Sequence, residues 1–116
     1  MEPLYELQAE VLKTLANARR LEMAHLLAEG PMTVGRMADR LSLAQPNVSQ
    51  HLALMRAAGV VEAERDGREI RYRLADPDII AACNLMRSAL QRRLVRLAEL
   101  STAVPGALTP VAAGHR

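Results

Sequence analysis

The sequence predicts a mainly α fold with one small β-hairpin, five helices and two strands in the order α-α-α-α-β-β-α. Three observations point to it. Half of the residues are hydrophobic, drawn largely from Leu, Ala, Val and Met, with two Tyr and neither Phe nor Trp; such a composition favours helices over a sandwich or barrel. Apolar residues recur by threes and fours over most of the chain, and the period becomes two only between Val60 and Leu74. At 116 residues, the chain fits one domain with one core and a further surface for burial by a partner.

The first helix is read over residues 4–16 from Leu4, Leu7, Val11, Leu12 and Leu15. Asn17 offers a cap for the second, whose Leu21, Ala24, Leu27 and Ala28 are expected inward and which Glu29-Gly30-Pro31 stops. Thr33 caps the third, with an apolar stripe of Val34, Met37, Ala38 and Leu41. Ser42-Leu43-Ala44 breaks the period, and Gln45-Pro46 opens a fourth helix, where the first-turn amides have no helical partner for Pro to disrupt.

The fourth helix is expected to run to about Ala58, with Val48, Leu52 and Met55 inward and Gly59 ending it. Residues 60–74 then alternate as two strands around Asp66-Gly67, a tight-turn signal, with Arg65 and Arg68 flanking the tip. After Asp76-Pro77, the series Ile79, Cys83, Met86, Leu90, Leu94 and Leu97 defines a long fifth helix with a coiled-coil-like seam that calls for a partner. Residues 101–116, rich in Ala, Pro, Gly and Thr without periodicity, read as a flexible tail.

Two short helices joined by a three-residue turn, then a hairpin with a basic tip, make a winged helix-turn-helix, expected to span residues 1–100 as a DNA-binding and dimerisation domain. The second helix of the pair is the one that enters a major groove. Its outward face holds Gln45, Asn47, Ser49, Gln50 and Arg56; Gln and Asn match the adenine edge in bidentate fashion, and the hydroxyl serves base or phosphate. Arg65, Arg68, Arg71 and Arg73 of the wing are expected on the phosphates.

Charge placement supports this reading more than charge total. The net charge is only +2, which many proteins without a polyanionic partner share. Residues 1–35 carry three basic and five acidic side chains, however, whereas Arg40 to Val61 holds Arg40, His51 and Arg56 and no carboxylate. A phosphate backbone tolerates such a surface. Fourteen of the fifteen cations are Arg, which suits bidentate phosphate or guanine contacts, although a coding bias would give the same ratio.

The ordered pieces resemble the ArsR/SmtB family of bacterial regulators. Leu12-Lys13-Thr14-Leu15-Ala16-Asn17-Ala18-Arg19-Arg20-Leu21 is similar to the start of the family's domain and Ala44-Gln45-Pro46-Asn47-Val48-Ser49-Gln50-His51-Leu52 to its recognition helix. Arg56-Ala57-Ala58-Gly59-Val60-Val61, Asp66-Gly67-Arg68 and Tyr72-Arg73-Leu74 are similar to its helix end and wing. The resemblance covers about residues 4–100 and implies a homodimer joined through the first and fifth helices. Leu4, Leu7, Val11, Ile79, Cys83, Met86, Leu90, Leu94 and Leu97 would line that interface. It also implies repression of a promoter through double-stranded operator DNA, until an unidentified inducer lowers affinity.

Two departures stand out. Ala44 replaces the Ser often found there, removing a side-chain cap from the recognition helix. The family's metal sites are also missing their ligands: Val34 to Leu41 has no Cys, and Pro77 to Leu100 has no His. A thiolate-rich or imidazole-rich tetrahedral site cannot be assembled from either pattern, so neither metal nor cofactor is expected.

His51 reads either as a base or phosphate contact or as a half-buried structural histidine; His25 reads as structural, and His115 lies in the tail. Cys83 is the only thiol, so no disulfide forms within one protomer. It reads as a small buried hydrophobe of low reactivity or as a redox switch between protomers. No nucleophile elbow, glycine-rich phosphate loop or metal motif suggests an enzyme. There is no apolar run of about 18 residues and the acidic N-terminus is unlike a signal peptide, so a soluble cytoplasmic protein is expected, with no membrane partner. The competing function is a winged helix that docks on protein without touching DNA.

Overall fold

The computed structural model describes residues 2–103. The order is α1 Pro3–Leu15, α2 Ala18–Leu27, β1 Met32–Thr33, α3 Val34–Leu41, α4 Gln45–Ala57, β2 Val61–Asp66, β3 Glu69–Leu74 and α5 Pro77–Ala103. One compact unit ends at Ile80, and a second begins at Ala81. All five expected helices and the hairpin are present. The two-stranded wing is the β2–β3 hairpin, and β1 adds antiparallel to β3, so the sheet has three strands in the order β1-β3-β2. Only Met32 and Thr33 make the added strand, opposite Tyr72 and Arg71; two residues are too few to show an alternation.

Local chemistry sets most boundaries. Pro3 occupies the first turn of α1, where its missing N–H costs nothing. The Asn17 side chain accepts from the Arg20 amide at 3.1 Å and starts α2, and the Thr33 hydroxyl accepts from the Arg36 amide at 3.2 Å and starts α3. At the end of α4, the Val60 amide reaches the Met55 carbonyl at 2.8 Å and the Gly59 amide reaches Arg56 at 3.0 Å. This pair of bonds is a Schellman closure, and it requires the φ of +81° that Gly59 adopts. Met55 and Val60, the two residues it brings together, are both fully buried.

The core of the first unit is built from Met23, Met37, Val48, Leu52, Met55, Val60 and Val61, with Leu15, Leu27 and Met32 around them. Methionine fills the gaps that aromatic rings would otherwise occupy. The buried stripe of α2 is Met23, Ala24, Leu26 and Leu27, while Leu21 and Ala28, expected inward, are exposed. Both stripes fit a 3.6-residue period, and the packing partners choose between them. The hairpin is buried only at its base, through Val61, so it projects from the core. Helix α5 continues three residues past the expected boundary at 100; the rest of the tail, with His115, lies outside the described residues.

Candidate nucleic-acid interface

Helices α3 and α4 are joined through Ser42, whose φ of 55° and ψ of 47° place it in the left-handed region. The Leu43 amide returns to the Ala38 carbonyl at 3.0 Å, closing α3 tightly before Ala44 opens α4. Ala44 contributes only its carbonyl, which accepts from Asn47 at 3.0 Å and Val48 at 3.2 Å; no side chain caps the helix.

Val48, Leu52 and Met55 anchor one side of α4 with no exposure. Gln45, Asn47, Ser49, Gln50, Ala53, Leu54 and Arg56 are exposed, with Gln50, Ala53 and Leu54 on the side away from the buried residues and Gln45 and Arg56 on its flank. Amide, hydroxyl and guanidinium groups therefore sit on a helix whose orientation is held by its buried face. A Cβ built on Gly35 would lie 3.6 Å from the Gln45 Nε2, so the Gln45 amide lies over the first turn of α3.

His51 does not share that open face. It is half-buried, with its Nδ1 3.4 Å from Nη1 of Arg20. Burial, then the positive charges of Arg20 and Arg19, push its pKa below the usual histidine value. Arg20 can only donate, so the neutral ring accepts at Nδ1 and keeps its proton on Nε2.

The basic residues divide into paired and unpaired. Arg40 forms a forked pair with Glu29 at 3.0 and 2.9 Å; that hydrogen bond holds the Glu29 carboxyl below its ordinary pKa. In the hairpin, Arg73 bonds Glu62 at 3.1 Å and also Glu64. Arg71 lies 3.7 Å from Asp66 and 3.3 Å from Glu69. Arg36 forms no ion pair but its charge acts on the Glu29 carboxyl, whereas the described Arg56, Arg65 and Arg68 are in no ion pair. Arg65 and Arg68 flank Gly67, which opens the two-residue turn with a φ of +65°.

The expected seam residues lie at the surface. Leu4 and Leu7 of α1 are 62% and 66% exposed, and Met86, Leu90, Leu94 and Leu97 of α5 are exposed as well. Val11, Ile79 and Cys83 are half-buried. Leu85, Val95 and Leu100 add apolar surface to α5 that the seam did not include.

Residues 17–63 match the family described as "Bacterial regulatory protein, arsR family". The chain is 43% identical over 94 residues to the HTH-type transcriptional regulator Rv0081 of Mycobacterium tuberculosis, covering 80% of this chain and 82% of the relative. It is 44% identical over 68 residues to the biofilm growth-associated repressor of Agrobacterium fabrum, covering 59% and 58%. To the transcriptional activator HlyU of Vibrio cholerae it is 34% identical over 76 residues, covering 66% and 70%. In structure, it matches the Rv0081 crystal structure with a TM-score of 0.73 and 40% identity over 84% of this chain and 99% of that one. It matches the solution structure of a homodimeric winged helix-turn-helix DNA-binding domain from Mycobacterium bovis with a TM-score of 0.71 and 32% identity, over 77% and 82%. These relatives are transcriptional regulators, not enzymes. By fold and by kinship, the chain belongs to the arsR family of bacterial regulatory proteins.

Proposed function

We propose that this chain is a homodimeric repressor that places α4 in the major groove of an inverted-repeat operator. The observation that carries the reading is the exposed surface of α4, where Gln45, Asn47, Ser49 and Gln50 stand without a carboxylate on a helix anchored by fully buried Val48, Leu52 and Met55. Such a helix offers base-reading donors and acceptors on a fixed backbone. Arg56 and the tip residues Arg65 and Arg68 are assigned to phosphates. His51 presents its Nε2–H as a donor to the backbone or a base.

In this reading residues 1–100 carry both DNA binding and dimerisation. The apolar faces of α1 and α5 pair with a second copy, because leucines this exposed gain about 25 cal/mol for each Å² removed from water. Cys83, half-buried on α5, is assigned to packing in that seam. The inducer acts elsewhere than at the family's metal-ligand positions, which carry neither Cys nor His here. No described helix is long and apolar enough to cross a membrane, and the place of action is the cytoplasm, where the promoter is.

A mobility-shift and footprinting experiment with the DNA upstream of the chain's own gene tests this. Two protected half-sites about one helical turn, or roughly 34 Å, apart are expected. A reporter driven by that region should rise when the gene is deleted. A fall would make the chain an activator, and no shift on any fragment would remove DNA binding itself.

A further inference from the structure

The β2–β3 hairpin carries four carboxylates, Glu62, Glu64, Asp66 and Glu69, and four guanidinium groups, Arg65, Arg68, Arg71 and Arg73. They are not mixed at random. The strand register sets Glu62 opposite Arg73 and Glu64 opposite Arg71, and side chains two apart share a face. One face therefore holds Glu62, Glu64, Asp66, Glu69, Arg71 and Arg73. The other face holds Val61, Ala63, Arg65, Ile70, Tyr72 and Leu74.

The charged face is a closed ladder. Arg73 is gripped by Glu62 and Glu64 at once, and Arg71 lies between Asp66 and Glu69. These side chains are 45 to 73% exposed, and exposed ion pairs add little to stability. Folding therefore gives weak reason for four carboxylates on the arm of a DNA-binding domain, where each one repels phosphate. Their effect on DNA is larger. A guanidinium held by two carboxylates must leave both before it can neutralise a phosphate, and the carboxylates left behind repel the backbone.

We propose that Glu62 and Glu64, by holding Arg73, limit the sequence-independent affinity of this chain for duplex DNA, leaving Arg65 and Arg68 as the phosphate-facing cations of the hairpin. The ladder sets how tightly any DNA is held and leaves the choice of sequence to α4. A phosphate contact adds equally to operator and random DNA, so the ratio between them stays constant. A repressor so limited is easier for a modest loss of affinity to release. This inference rests on the DNA-binding reading above.

The test uses the full-length protein and a random-sequence duplex of about 30 base pairs, titrated over a range of salt. Glu62→Gln/Glu64→Gln should bind about five- to tenfold tighter than wild type near 0.1 M salt, with a log-log slope steeper by about 1 per hairpin engaged. Adding Arg73→Gln should abolish that gain. A control, Glu6→Gln/Glu10→Gln, removes the same charge from α1 and should tighten binding much less. Single Glu62→Gln and Glu64→Gln variants, checked by thermal melting, repeat the measurement should the double variant fold poorly.

If the double variant binds no tighter than the control, or stays tight after Arg73→Gln, the ladder does not act through Arg73 and the inference fails while DNA binding stands. If wild type itself shows no salt-dependent binding, both fall together.

Discussion

Nη1 of Arg20 lies 3.4 Å from Nδ1 of His51, and the same guanidinium donates from Nε to the Thr14 carbonyl at 2.6 Å. One side chain at the start of α2 thus joins the end of α1 to the middle of α4. The Thr14 carbonyl belongs to the last turn of α1, where carbonyls lack helical partners and a cation is favoured. Arg20 therefore supports the orientation of α4 from behind.

This relationship makes stability pH-dependent with a defined sign. The unfolded chain takes up a proton at His51 near the ordinary value of 6.5, whereas burial and Arg20 hold the folded value lower. The stability present above that ordinary value is lost as pH falls toward the folded one. In urea unfolding between about pH 7.5 and 5.5, wild type should lose more stability than His51→Gln. Equal losses would mean that the ring is as easily protonated in the fold as out of it.

The missing side-chain cap at Ala44 is a correctable weakness. Ala44→Ser should supply an oxygen to the first amides of α4 and stabilise the fold by about 1 kcal/mol. Thermal unfolding measures it. A variant no more stable than wild type would show that solvent already serves those amides as well.

Base reading and backbone holding should separate by residue. Gln50→Ala or Asn47→Ala should reduce the preference for operator over random DNA by about 1 to 3 kcal/mol, whereas Arg68→Ala should weaken both alike. Competition titrations decide between them. Equal losses on both DNAs from the helix variants would move the reading surface away from α4.

The α5 seam should be the dimer's weak point. Leu90→Glu or Leu94→Glu buries an unpaired carboxylate if a second copy covers that face. Sedimentation should then show monomers at concentrations where wild type is dimeric. An unchanged dimer would place the interface on another surface.

Much of this architecture was legible because its signals are local. Asn17, Thr33 and Gly59 act within one helical turn of the ends they define, and Val48, Leu52 and Met55 repeat at the spacing of a buried face. What escaped is what depends on pairing across the fold. Arg20 meets His51 from 31 positions away in sequence, and no periodicity announces such a contact. The Arg40–Glu29 fork joins α3 to the residues after α2 in the same way. Met32 joins the sheet by pairing with Tyr72, which is more distant still in sequence.

The hairpin charges are a different case. Counting outward from the turn at Gly67 would have set Glu62 opposite Arg73 and Glu64 opposite Arg71, since turn length fixes register. Their own charge suggests that Arg71 and Arg73 contact phosphate, whereas the strand pairing sets both among carboxylates.

If α4 and the hairpin hold duplex DNA, binding to the chain's own upstream region must weaken steeply with salt. Each neutralised phosphate adds about −0.9 to the slope of log affinity against log salt, so two protomers using Arg56, Arg65 and Arg68 should give about −5. A slope near zero would contradict phosphate neutralisation and leave a winged helix that docks on protein instead.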